Sequence, residues 1–261
     1  MSPHIKRLAA PDFWPILKKT TKWTIHPSPG PHPLEYCIPL AIVLREILGY
    51  ASNMKEVKYI LAKGFVKRDG KIIRDHKFPL GFMDVLELAK DPQPYRFLPY
   101  KGIPLVCAKI PKEEVSMKIC KVVGKRTVRK GKIQLNLHDG RNVLIDAQDK
   151  AKIKINDSLL IEIPSQNVKE IIKFEEGNVC LIYRGINAGS YGILKKINTV
   201  IPKRNSIVEI EDMNGNIIRT NINYAIPVGY EKPLLKMIES DVDYVTPMIY
   251  RKISLKGYHV D

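Results

Sequence analysis

The sequence contains no Cys-x-x-Cys pair. Its four cysteines, Cys37, Cys107, Cys120 and Cys180, stand 70, 13 and 60 residues apart, a spacing that suggests neither a zinc ribbon nor a redox dithiol, so reduced thiols in or near a core are expected. The six histidines, at positions 4, 26, 32, 76, 138 and 259, lack metal-ligand spacing. Long apolar runs are missing as well: residues 38–43, the longest nearly uninterrupted stretch, include Pro39 and are far too short to span a bilayer. With no apolar signal region and no long amphipathic helix to lie on a membrane, a cytosolic or nuclear protein is expected. No glycine-rich phosphate loop, no His-Glu-x-x-His helix motif and no nucleophile elbow occurs, so neither a cofactor nor a small-molecule substrate is expected.

Acidic residues are also scarce. Twenty-seven Asp and Glu face 43 Lys and Arg, leaving a formal net charge of +16, which calls for an anionic partner. The excess is uneven: +7 over residues 1–100, +8 over 101–173 and only +1 over 174–261. The first two thirds should therefore face a nucleic acid. The 44% hydrophobic content is ordinary for folded protein, and the length allows two or three domains with separate cores.

Residues 53–71 carry the most compact signal. Asn53 and Glu56 have capping-box spacing, so a helix should start near Met54, with the Glu side chain reaching back to the cap amide. Val57, Ile60 and Leu61 fall on one stripe and Lys55, Tyr59 and Lys63 on another, while Gly64 supplies a left-handed stop. Asp69-Gly70 then suits a tight hairpin turn between residues 65–68 and 71–74. Lys67, Arg68, Lys71 and Arg74 crowd that ribbon, with Lys55 and Lys58 on the helix before it. Together they are candidates for a phosphate backbone.

Before this segment the chain is proline-dense, with the run Pro27-Ser28-Pro29-Gly30-Pro31-His32-Pro33. It cannot form a continuous helix or an interior strand and should lie extended. Lys6, Arg7, Lys18, Lys19 and Lys22, with Trp14 and Trp23 between them, offer charge for phosphates and rings for unpaired bases; equally, both Trp side chains could anchor the segment to the next domain. Residues 38–49 read as a helix with Leu40, Val43, Leu44 and Ile47 inward and Arg45 outward. Residues 81–88 read as a returning strand or turn.

From residue 106 onward, short alternating runs split by Gly, Asp and Asn argue for an all-β region. Residues 118–132 are dense in cations, and Lys121, Lys125, Arg126, Arg129 and Lys130 are further RNA-facing candidates. Residues 177–197 are two strands around a glycine-punctuated turn. Gly185, Gly189 and Gly192 do not mark a dinucleotide site, because no helix follows them. With strands at residues 207–211, 217–221 and 224–228, this region makes a five-stranded barrel of the SH3-like kind.

Residues 177–197 are similar to the KOW motif of ribosomal and transcription-elongation proteins, and residues 53–71 resemble the small RNA-binding domain named after ribosomal protein S-four. With His4-Ile5-Lys6-Arg7, Gly30-Pro31-His32, Gly81-Phe82-Met83-Asp84-Val85, Cys120-Lys121-Val122, His138-Asp139, Ile155-Asn156-Asp157 and Ile172-Lys173-Phe174, they resemble the archaeal and eukaryotic e-type S-four family of the small ribosomal subunit. The resemblance covers roughly residues 4–230 in one unbroken order. It implies a non-enzymatic constituent of the small subunit that binds ribosomal RNA and neighbouring ribosomal proteins, in the cytoplasm after nuclear or nucleolar passage. The implied organisation is a basic Pro-rich segment (1–37), an α+β RNA-binding domain (38–95), a central β domain (96–173), the KOW barrel (174–230) and a tail (231–261). The barrel turn departs from the pattern at Ile186 and Ser190-Tyr191, where a small and a basic residue are usual. Two other classes compete: an RNA-modifying enzyme with an appended RNA-binding domain, and an accessory factor of transcription elongation. The first lacks its Gly-Arg-Leu-Asp setting, since Gly140-Arg141 is followed by Asn142-Val143; the second leaves the basic N-terminal two thirds unexplained.

Overall fold

The computed structural model describes residues 4–128, 131–146, 153–200, 206–213, 215–238 and 240–248. The candidates Arg129 and Lys130 lie outside the described residues. The chain divides into two compact units, one of Met1–Phe97, Leu105–Pro111 and Glu239–Asp261 and the other of Leu98–Pro104 and Lys112–Ile238.

In the first unit the proline-dense segment runs largely extended. Ile5–Lys6 pairs antiparallel with Trp23–Thr24, and Trp14 is buried (2% exposed), its Nε1–H donating to the Cys37 carbonyl at 2.7 Å. Trp23 is the opposite case, 47% exposed, so one tryptophan anchors the segment and the other stays on the surface.

The helix expected over residues 38–49 is shorter and differently built. Cys37–Pro39 is a strand paired with Pro79–Gly81. The helical turn begins at Leu40, and over Val43–Ile47 it widens into a π turn in which Leu48 N–H donates to Val43 O. Periodicity alone assigns the apolar residues before Leu40 to the helix, but the residue before a proline is driven out of the helical region, so Ile38 stays extended and the helix starts only after Pro39.

The second helix, Met54–Ala62, starts where its cap requires. Asn53 Oδ1 accepts from Glu56 N–H at 3.0 Å, and Glu56 Oε2 accepts from Ser52 N–H at 2.7 Å, one residue before the expected amide. Val57 and Leu61 are buried. Val66–Arg68 and Lys71–Ile72 form the hairpin, turning through Asp69 (φ 49°) and Gly70 (φ 74°). A five-stranded sheet follows in the order Lys71–Ile72, Val66–Arg68, Val85–Leu88, Asp91–Tyr100, Ile103–Lys109.

The second unit holds two antiparallel five-stranded sheets. The central one runs Asn142–Ile145, Ile133–Leu137, Met117–Thr127, Ser158–Glu162, Val168–Ile172, around a core that includes Cys120, Val122, Leu135, Leu159 and Ile161. The other runs Ile217–Asn221, Ile207–Asp212, Tyr191–Asn198, Val179–Ile182, Ala225–Gly229, around Cys180, Ile182, Leu194, Val208 and Ile210. These strands fall close to where the alternation places them. Gly189 shows why glycine punctuates the turn: its φ is +97° and a Cβ there would lie 2.6 Å from Tyr100 Cα. All four cysteines are buried; burial pushes the thiols of Cys37 and Cys180 up to about 12, so they are inert thiols of the interior. No helix among the described residues is long and apolar enough to cross a membrane.

Candidate nucleic-acid interface

The hairpin sorts its own cations. Side chains alternate across a strand, so in Val66–Arg68 the buried Val66 and Arg68 share one face while Lys67 points the other way. Lys67, Lys71 and Arg74 are exposed, as are Lys55 and Lys58 on the helix before them. Arg68 is turned inward. Its Nη2 donates to Asp84 Oδ1 at 2.7 Å, its Nε lies 3.2 Å from Asp69 Oδ2, and its guanidinium sits over the Phe78 ring at 5.5 Å.

Asp84 is the hub of this cluster. Wholly buried, it also accepts from Gly81 N–H at 3.0 Å and has His32 Nε2 3.1 Å from Oδ2. Asp69 in turn accepts from Val85 N–H at 3.0 Å. A Cβ on Gly81 would lie 2.2 Å from His32 Cγ, so only glycine lets the imidazole reach the carboxylate. Gly30-Pro31-His32, Gly81–Val85 and the hairpin turn, three separate sequence motifs, thus meet in one buried ion cluster that clamps the N-terminal segment onto the hairpin.

The N-terminal candidates divide similarly. Lys6, Lys19 and Lys22 are exposed. Lys6 lies directly across from Trp23, whose half-exposed ring has the His4 ring 5.5 Å away and the Lys22 ammonium 5.3 Å from its centroid, a cation–π contact. Lys18 is tied to Ala10 O at 2.6 Å and Asp12 at 3.2 Å. Arg7 is held by Leu17 O at 2.9 Å and by the Thr20 hydroxyl, and Arg45 pairs with Glu46 at 2.8 Å.

In the central sheet the cation-rich strand is less available than its composition implies. Lys118 is buried and lies 3.2 Å from Asp139. Burial works against the charge of Asp139, yet Lys118, His138 and Arg141 hold its carboxyl well below the usual carboxylate range. Lys121 is only 3% exposed. Its ammonium donates to the carbonyls of Ile222 (3.0 Å), Asn223 (3.2 Å) and Ala225 (2.6 Å), and burial pushes its pKa down to about 7, with Cys180 opposing and Arg184 adding to the shift. Lys125 donates to Ile153 O at 2.7 Å, which leaves Arg126 as the exposed candidate of this strand among the described residues. Among those residues no group of His, Cys, Asp and Glu is arranged to hold a metal.

Comparison with known proteins gives a consistent set of relatives. Residues 92–168 match the model of ribosomal family S4e and residues 1–35 that of the RS4NT (NUC023) domain. The chain is 43% identical over 242 residues to the small ribosomal subunit protein eS4 of Staphylothermus marinus, covering 90% of this chain and 96% of that one. It is 39% identical over 241 residues to the eS4 protein of Aeropyrum pernix, covering 90% and 95%. The crystal structure of the 30S ribosomal protein S4e from Thermoplasma acidophilum superposes with a TM-score of 0.64 at 33% identity, over 75% of this chain and 96% of that chain.

Proposed function

The chain belongs to the ribosomal family S4e and is a structural constituent of the small ribosomal subunit, not an enzyme; we propose that it grips ribosomal RNA chiefly through exposed cations of its first unit. Three groups supply the grip: Lys6 and Lys22 beside Trp23, with Lys19 in the same segment; Lys55 and Lys58 on the helix; and Lys67, Lys71 and Arg74 at the hairpin. Phosphate neutralisation with counterion release gives the affinity, and the shape of A-form RNA with a few unpaired bases gives the specificity. The observation that carries this reading is the hairpin, where Arg68 is neutralised internally while its three neighbouring cations are exposed.

We read the near-neutral C-terminal sheet as an SH3-like barrel of the KOW kind. The single turn Ile222–Tyr224 joins its edge strand Ile217–Asn221 to Ala225–Gly229, which is how such a sheet closes on itself. Ile186 at the tip of its glycine turn is 93% exposed, and an apolar tip suits a neighbouring ribosomal protein better than a phosphate. The site of action on this reading is the cytoplasmic ribosome, and passage through a nucleus or nucleolus during assembly applies where the source cell has one.

Binding of the full chain to small-subunit ribosomal RNA, measured across a salt series, tests the RNA reading. The wild type is expected to lose affinity steeply with salt. Changing Lys67, Lys71 and Arg74 together to Gln is expected to flatten the slope by about one per lost contact, with the thermal midpoint unchanged. A salt-independent affinity, or a collapse of thermal stability in the triple variant, would contradict it.

A further inference from the structure

The geometry points to a dedicated subsite for a single RNA backbone phosphate, formed by Arg7 and Arg45 where the N-terminal segment meets the first helical turn. The inference rests on the RNA-binding role proposed above. A cavity of about 320 Å³ opens there, lined in part by Arg7, Thr20, Arg45, Glu46 and Ser52.

Two of these groups are fixed before any ligand arrives. Arg7 Nη1 donates to Leu17 O at 2.9 Å and to the Thr20 hydroxyl, and no other hydrogen bond or ion pair of its guanidinium forms among the described residues. Its Nε is buried with no acceptor. A guanidinium held stiffly with an unsatisfied donor costs stability, and a role outside folding explains its retention. Arg45 is oriented by Glu46, which accepts from its Nε at 2.9 Å and lies 2.8 Å from its Nη2.

Charge fixes the kind of ligand. Two guanidinium groups and one carboxylate line the cavity, a net charge of one positive, which a phosphodiester cancels; a more highly charged anion would be repelled by Glu46. Planar guanidinium forks match phosphate oxygens, and the Ser52 hydroxyl can add a neutral donor, while the Thr20 hydroxyl is committed to Leu17 O. Arg7 and Arg45 come from segments far apart in sequence, so the subsite exists only when the N-terminal segment is folded down. Phosphate binding here would thus reward docking of that segment.

The test is the salt series on the full chain with small-subunit ribosomal RNA, using Arg7→Gln, Arg45→Gln and the double variant. Each single change is expected to flatten the salt slope by about one, and the double variant by the same one rather than two, because both arginines share a single phosphate. Arg45→Gln removes only the pair with its neighbour Glu46, so it remains informative if Arg7→Gln loosens the N-terminal segment. An unchanged slope in Arg45→Gln, or a slope that flattens by two in the double variant, overturns the subsite. A wild type without salt-dependent RNA affinity refutes the RNA-binding role itself, a different failure. Titration of the wild type with dimethyl phosphate, a singly charged phosphodiester, against chloride of equal ionic strength, is expected to shift the Arg7 and Arg45 side-chain resonances; shifts without any effect of the variants on RNA binding would assign the cavity to a free phosphate ester and overturn the proposal.

Discussion

Replacing Asp84 with alanine is expected to lower the unfolding free energy of the first unit by roughly 3–5 kcal/mol, the range for removing one partner of a buried ion pair. Asp84 has no exposed surface, and its loss removes one acceptor from the Arg68 guanidinium, the His32 ring and the Gly81 amide together. Such a loss consumes a large share of the stability of an ordinary domain. Urea unfolding followed by circular dichroism and by the fluorescence of Trp14 measures it. Arg68→Gln should destabilise in the same direction while the protein that remains folded binds ribosomal RNA with unchanged affinity. If Arg68→Gln instead weakened RNA binding with no change in the urea midpoint, the cluster would be an RNA contact and its inward geometry would be the wrong guide.

The second large effect lies at Lys121. Below its pKa of about 7 its ammonium holds three carbonyls at the turn between the last two strands, and in that pH range such charge-assisted hydrogen bonds are worth roughly 1.5–3 kcal/mol each. Lys121→Met keeps the stem but removes every donor, while sparing the burial of a cation. The first effect outweighs the second because the Ile222, Asn223 and Ala225 carbonyls are left without this donor, so a net loss of roughly 2–4 kcal/mol is expected. Calorimetry should show the change in the second unit, and hydrogen exchange should show opening concentrated at residues 222–229. An unaltered melting profile would mean that the three bonds are incidental. A fall in RNA affinity without destabilisation would return Lys121 to the RNA-facing set.

These two residues also mark where sequence reasoning runs out. The helix cap, the Asp-Gly hairpin and the C-terminal strands were legible because each depends on residues within a few positions of one another. In the sequence Arg68 and Lys121 fall among the RNA-facing candidates because a cluster of charge says nothing about which face each member occupies. For Arg68 a signal was present: it shares strand parity with Val66, so it had to fall on the apolar face. For Lys121 the signal was weaker, because its carbonyl partners lie 101 to 104 residues away. Pattern also misplaced the start of the first helix, where Pro39 and the pairing of Cys37–Pro39 with Pro79–Gly81 prevail over apolar periodicity. Several motifs shared with the family do structural work here. Asp84 holds Arg68 and has His32 beside it, Asp139 holds Lys118, and Asp157 accepts from Phe174 N–H at 2.9 Å.

The most direct test of the central claim is sedimentation of a cell lysate through a density gradient, with blotting for this protein at low and at raised salt. Co-sedimentation with small subunits, monosomes and polysomes that persists at raised salt is the expected result, because an integral constituent is locked by many contacts that salt does not release together. Recovery in the light fractions alone, at either salt, would contradict it.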